Sequence, residues 1–188
     1  DYDYEKCNIE MHGDLIQYRK FDTEEALLAS FHKFWCDNRP DIITGWNSRF
    51  FDIPYLINRI ARIGTFTAVK RLSPWNMVNE RNTEITGRTQ YGYEIVGIQQ
   101  ADYLELFKKF GYSYGTQESY KLDHIAHVVL GEKKLSYEEH GNLYTLYKED
   151  HQKFIDYNIR DVQLVNRIEE KMGLIQLAQT MAYRGGVN

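Results

Sequence analysis

Two short acidic motifs hold the residues of this chain best suited to chemistry, Asn47-Ser48-Arg49-Phe50-Phe51-Asp52 and Tyr157-Asn158-Ile159-Arg160-Asp161. Tyr157 and Asp161 are four apart in a segment with helical periodicity, so they share one face and can meet one ligand. There a carboxylate can hold a divalent cation while a phenol orients an attacking water, the parts of metal-assisted hydrolysis. Asp52 stands where an apolar strand gives way to a helix, a place that exposes a side chain at the carboxyl edge of a sheet. The plainer role for an aspartate at that place is a helix N-cap. A two-cation site needs several carboxylates converging from distant segments, and an Asp-x-Glu triplet, with two carboxylates on one side of a strand, could supply more of them. The chain has two such triplets, Asp3-Tyr4-Glu5 and Asp22-Thr23-Glu24, and neither follows an apolar strand.

The elements that must position these residues can be read from period and punctuation. Residues 15–21 suggest a short strand. Asp22 then reads as an N-cap with Glu25 as its capping-box partner, opening a helix with Leu27, Leu28, Phe31, Phe34 and Trp35 as its apolar face and Pro40 beyond it. Asp41 to Trp46 reads as a buried strand. Asn47 to Asp52 turns into a second helix, with Pro54 tolerated in its first turn, an apolar face of Ile53, Leu56, Ile57, Ile60 and Ile63, and Gly64 as its stop. From Trp75 to Gln100 the pattern becomes polar and β-branched around Thr86-Gly87-Arg88. That is a two-stranded ribbon with little apolar face, expected to project from the domain. Ala101 to Phe110 is amphipathic again, Leu122 to Leu130 is a helix ended by Gly131, and Lys133 and Lys134 beyond it could touch a phosphate. A long helix from about Asp150 to Met172 has Ile155, Ile159, Val162, Val165 and Ile168 inward, with Gly173 as its stop. This order of elements predicts an α/β fold, a mixed sheet flanked by helices, in a single domain over 1–188 with the ribbon at about 75–100 as an insertion.

Bulk composition narrows the function. At 188 residues, 43% hydrophobic and 27% charged, the chain can bury a sizeable core. A net charge of -4 rules out a protein that grips duplex nucleic acid by phosphate neutralisation alone. Any such contact must be local, and 15 tyrosines and 9 phenylalanines leave room for stacking on unpaired bases. Cys7 and Cys36 form no metal-ligand spacing and no disulfide framework, which points to a reducing, cytoplasmic compartment. There is no apolar run of membrane-spanning length.

In combination the two motifs are specific. Asn47-x-x-x-Phe51-Asp52 after an apolar strand, then Tyr157-x-x-x-Asp161 on a late helix, resembles the second and third exonuclease motifs of family B DNA polymerases, with the nearest likeness to the replicative polymerases of T-even-like bacteriophages. Further stretches agree: Thr44-Gly45-Trp46-Asn47, Phe51-Asp52-Ile53-Pro54-Tyr55, Lys70-Arg71-Leu72-Ser73-Pro74, Asp102-Tyr103 and Ser119-Tyr120 with Leu122-Asp123. The resemblance runs from about Gln17 to the C-terminus. It implies an RNase H-like 3'-5' proofreading exonuclease domain in which Asp52 and Asp161 bind catalytic Mg²⁺ or Mn²⁺, Tyr157 orients the attacking water, and Asn47 and Phe51 lie near the frayed primer end. By the same resemblance, the ribbon from about Met77 to Tyr93 would correspond to a hairpin that in these polymerases helps pass the primer strand between polymerising and editing sites. The implied partners are the single-stranded 3' end of DNA and the polymerase domain of a longer parent chain; the implied location is the host cytoplasm if the source is viral.

The departure from the family is the first motif. The expectation is a fragment that begins after it and is inactive alone, whose sheet edge is left open for dimerisation. Two further readings stand beside this one: a non-catalytic module that positions single-stranded DNA, and a free-standing exonuclease in which Asp3 and Glu5 serve as a degenerate first motif.

Overall fold

The computed structural model describes residues 2–7, 9, 16–85, 87–132 and 141–186, so Thr86 of the ribbon turn and the lysines Lys133 and Lys134 lie outside the described residues. The protein divides into two compact units, Phe21–Lys109 and a second made of Asp1–Lys20 with Phe110–Asn188. We refer to them as the middle and terminal units.

In the middle unit, helix α1 (Glu24–Asn38) is capped by Thr23, whose hydroxyl accepts from the Ala26 N–H at 3.2 Å. The cap therefore falls one residue after Asp22. Residues 16–21 form no strand. The buried face of α1 is narrower than its apolar pattern, with Leu28, Phe31 and Trp35 inward and Leu27 and Phe34 exposed. The Trp35 indole donates to the Leu72 carbonyl at 2.8 Å, so its polar edge is satisfied inside the core. Strand β1 (Ile42–Gly45) leads to helix α2 (Asp52–Ile63), whose Ile53, Ile57 and Ile60 are buried. Gly64 ends α2 by donating its N–H to the Ile60 carbonyl, and a five-residue helix α3 (Phe66–Lys70) follows.

The ribbon is an antiparallel hairpin of β2 (Val78–Ile85) and β3 (Arg88–Ile95), with Val78 opposite Ile95 and Ile85 opposite Arg88. A further strand lies at the end of the stretch read as ribbon. β4 (Gln99–Asp102) pairs parallel with β1, from Ile42 opposite Gln99 to Gly45 opposite Asp102. Helix α4 (Tyr103–Phe110) then begins directly. The described residues thus contain two small sheets, one parallel and one antiparallel, beside helices. Trp35, Ile53, Ile57, Ile60, Val69, Leu72, Ile95 and Ile98 form one core cluster. Leu72 and Ile95 are wholly buried, and each such side chain contributes about 1.5–3 kcal/mol of transfer free energy.

The terminal unit is helical. α5 (Leu122–Leu130) ends on Gly131, whose φ of +77° is the left-handed cap that glycine adopts without strain. α6 (Leu143–Glu149) and α7 (His151–Met172) follow, then α8 (Leu174–Gly185) beyond Gly173. On α7 the buried face runs through Tyr157, Leu164, Val165 and Ile168, whereas Val162 is 71% exposed and is not an inward residue. Glu132, just past α5, pairs with both Arg160 and Arg167 of α7. Lys171 donates to the Val129 carbonyl at 2.6 Å.

Candidate functional site

The motif from Asn47 to Asp52 is a strand-to-helix turn, and such a turn has no repeating hydrogen-bond ladder to fix it. Asp102 supplies the missing restraint. Its side chain is 3% exposed and lies at the end of β4 beside the last residue of β1. It accepts from the backbone N–H of Asn47 at 3.2 Å, of Arg49 at 2.9 Å and of Leu104 at 3.0 Å, with Glu105 N–H at 3.4 Å. One carboxylate therefore caps α4 and clamps the turn that carries the motif.

Other residues shape the same turn. Asn47 has φ +64°, a left-handed conformation to which asparagine is well suited. Any side chain at Gly45 would press on Ser48, since a Cβ there would come within 3.0 Å of the Ser48 Cβ. Trp46 stacks on Tyr103 with ring centroids 6.3 Å apart, and Arg49 pairs with Glu105 at 3.1 Å while lying over the Phe50 ring. Helix α2 starts with Phe51 at the N-cap position and no side-chain cap, so Asp52 is its first helical residue and not the cap. Asn47, Phe51 and Asp52 all face solvent. Desolvation holds the Asp52 carboxyl above its usual range, the nearby Asp102 charge adds to the rise, and its own backbone N–H opposes it.

The hairpin is anchored close to this turn. At Gly92 it passes so near that a Cβ would stand 3.7 Å from the Arg49 carbonyl and 3.2 Å from that of Arg81. The Tyr93 hydroxyl donates to Asn58 of α2 at 3.0 Å, and Ser73 Oγ donates to the Val96 carbonyl at 2.6 Å. Ile95 at its base is buried, whereas Arg81, Asn82, Glu84 and Gly87 toward its tip are exposed.

The terminal unit holds the second motif. Tyr157 is 8% exposed, and Asp161, one turn on, has Oδ1 buried. One residue before Tyr157, Asp156 is buried and accepts from the Tyr2 hydroxyl at 2.7 Å. The Tyr2 phenol is pushed far up, first by desolvation and then by its hydrogen bonds to Cys7 and Asp156. Gln152 holds the adjoining backbone from both sides, accepting from Asp3 N–H at 2.8 Å and donating to the Asp3 carbonyl at 3.0 Å. The N-terminal segment is thereby seated along the first turns of α7. The Asp3 side chain itself caps the 3-10 turn Tyr4–Lys6 through the Glu5 N–H and pairs with Lys6, which lowers its pKa.

Asn47, Phe51 and Asp52 are thus brought together in one unit, and Tyr157 with Asp161 in the other. As donors, Asp52 and Asp161 are hard oxygen ligands of the kind Mg²⁺ and Mn²⁺ take. Among the described residues no group of three metal-type side chains converges. The contribution that sequence reasoning missed is Asp102's hold on Asn47 and Arg49. Its only sequence signal, an Asp before an amphipathic run, marks the cap of α4 and says nothing of the turn 55 residues earlier.

Residues 2–125 match the family model described as DNA polymerase family B, exonuclease domain. The chain is 39% identical over 170 residues to a DNA-directed DNA polymerase of Escherichia phage RB69 and 35% identical over 170 residues to that of Enterobacteria phage T4, covering 90% of this chain in each case. It is also 29% identical to a DNA polymerase delta catalytic subunit of Oryza sativa. The chain spans 18% of the length of each phage enzyme. No described helix is long and apolar enough to cross a membrane.

Proposed function

Because the chain belongs to the exonuclease-domain family of family B DNA polymerases, we propose that it is the editing segment of such a polymerase, removing nucleotides from the 3' end of a primer. The observation that carries the reading is the Asn47–Asp52 turn, in which Asn47, Phe51 and Asp52 face solvent, Asp102 holds the backbone N–H groups of Asn47 and Arg49, and Asp52 is the first residue of α2 without being consumed as its cap. In this reading Asp52 and Asp161 hold Mg²⁺ or Mn²⁺. The cations would supply an acidified water and charge stabilisation at the scissile phosphate. Tyr157, one turn before Asp161 on α7, orients that water. Phe51 offers an exposed ring to an unpaired base, and Asn47 offers an amide beside it.

Asp3 and Glu5 fit a first motif poorly, since the Asp3 carboxylate is committed to a local cap and to Lys6. The proposal therefore includes weak or absent cleavage by this chain alone. It also includes self-association through an edge of the β1–β4 sheet, which pairs with no further strand among the described residues; a clean monomer in sedimentation at high concentration would contradict it.

Two readouts test it together: Mn²⁺ binding followed by paramagnetic resonance, and shortening of a 5'-labelled single-stranded oligonucleotide with Mn²⁺. The expected result is Mn²⁺ affinity reduced tenfold or more by Asp52→Ala and by Asp161→Ala, on the order of 1.4 kcal/mol each. Any ladder present should vanish in both variants. Unchanged Mn²⁺ binding in both, with single-stranded DNA still bound, would favour the non-catalytic positioning module. A ladder lost on Asp3→Ala would return Asp3 and Glu5 to the site.

A further inference from the structure

Helix α2 has one face built for the core and a ring pair on the opposite side that the core does not explain. Ile53, Ile57 and Ile60 are each at most 7% exposed, while Phe51 is 66% and Tyr55 64% exposed. The Tyr55 N–H donates to the Phe51 carbonyl at 3.0 Å, which places the two residues one helical turn apart on the same side. Arg59 and Arg62 continue the row; Arg59 is paired to Glu24, with the Glu25 charge also acting on it, and Arg62 is exposed. Tyr91 of the hairpin adds a third exposed ring, two residues along β3 from the Tyr93 that touches α2 and next to the Gly92 that passes the motif turn.

We infer that Tyr55 is a second stacking platform for an unpaired base, receiving the nucleotide adjoining the one on Phe51 in a single-stranded DNA. The inference rests on the editing reading of the Phe51–Asp52 turn and extends it along α2. An aromatic face is a sequence-tolerant partner for any base, as removal of arbitrary 3' ends requires, and the arginines beyond it suit a phosphate backbone. A tyrosine retains its hydration through its hydroxyl while offering its ring, so the exposed position is tolerated when no DNA is bound.

The test measures equilibrium binding of an oligothymidylate carrying one 2-aminopurine next to its 3'-terminal nucleotide by the 188-residue chain, with EDTA present so that nothing is cleaved. Tyr55→Ala should weaken binding by about 5- to 100-fold and reduce the fluorescence change of the probe. Tyr55→Phe, which keeps the ring, should bind within about twofold of wild type. All three proteins should melt alike, because the residue is largely exposed on the outer side of α2. Wild-type affinity in Tyr55→Ala overturns the platform. If cleavage and Mn²⁺ binding still depend on Asp52 in that case, the editing reading stands without it. If Tyr55→Ala loses binding while no carboxylate variant changes metal affinity, the platform stands and the editing reading falls. Equal loss in Tyr55→Ala and Tyr55→Phe also overturns the platform, since stacking needs only the ring.

Discussion

The two motifs are held in place by opposite means. Tyr157 and Asp161 sit inside a 22-residue helix, where the backbone ladder alone fixes a four-residue spacing on one face. Asn47 to Asp52 sit in a turn that depends on a carboxylate 55 residues away from the first of them. A pair of side chains in a helix is stabilised by everything that stabilises the helix. The turn has backbone bonds of its own, from the Phe51 N–H to the Asn47 carbonyl and from the Ile53 N–H to the Ser48 carbonyl, but its opening residues lean on the Asp102 carboxylate, a buried charge with several donors to satisfy.

This contrast can be broken most forcefully at the clamp. Asp102→Ala leaves the N–H groups of Asn47, Arg49 and Leu104 without their acceptor, and should cost about 3–5 kcal/mol, lowering the melting temperature by roughly 10 °C. The isosteric Asp102→Asn keeps one acceptor oxygen and should lose about half as much. A melting temperature unchanged by Asp102→Ala would show that the turn is held by something else. On the helix side, Leu164→Ala should cost about 2–5 kcal/mol, whereas Val162→Ala, on the solvent face, should stay within about 0.5 kcal/mol. Equal losses in chemical denaturation would mean the buried face of α7 is misplaced.

A smaller effect of opposite sign is expected at Asp52. Its folded-state pKa is raised, so between the ordinary and the raised value the folded state binds the proton more tightly, and its ionisation disfavours folding as pH climbs through that window. Asp52→Asn should therefore raise the melting temperature at neutral pH by about 1–3 °C, an increment kept small by the residue's exposure. That gain should shrink as pH falls into the acid range. A loss of stability at neutral pH would contradict the assignment. The smallest effect should come from Arg49→Ala, which removes a largely exposed ion pair with Glu105 and should change stability by about 0–1 kcal/mol.

What was legible in the sequence follows the same division. The period of α7, its start near Asp150 and its stop at Gly173 could be read directly, and the spacing of Tyr157 and Asp161 on it with them. The finer error, Val162 inward instead of Leu164, arises because apolar residues stand on both sides of α7 there, and period alone does not choose between two positions two residues apart that both fit the spacing to Val165 and Ile168. Thr23 for Asp22 is the same kind of slip, two capping residues side by side. β4 was hidden for a different reason. Gln99-Gln100-Ala101-Asp102 has neither alternation nor an apolar run, and it becomes a strand only because β1 lies beside it. The role of Asp102 in the turn was hidden with it, since the Gly45–Asp102 register is what brings the clamp within reach.

The parallel pairing of β1 with β4 also orders events in time. Closing it requires the chain between Gly45 and Gln99 to come back on itself, an entropic cost met before any contact rewards it, while the hairpin within that stretch joins neighbours and can zip in microseconds. In hydrogen exchange, the amides of Asn47 and Arg49 should open and close together with those of β4 as one cooperative unit, and the hairpin tip should exchange long before them.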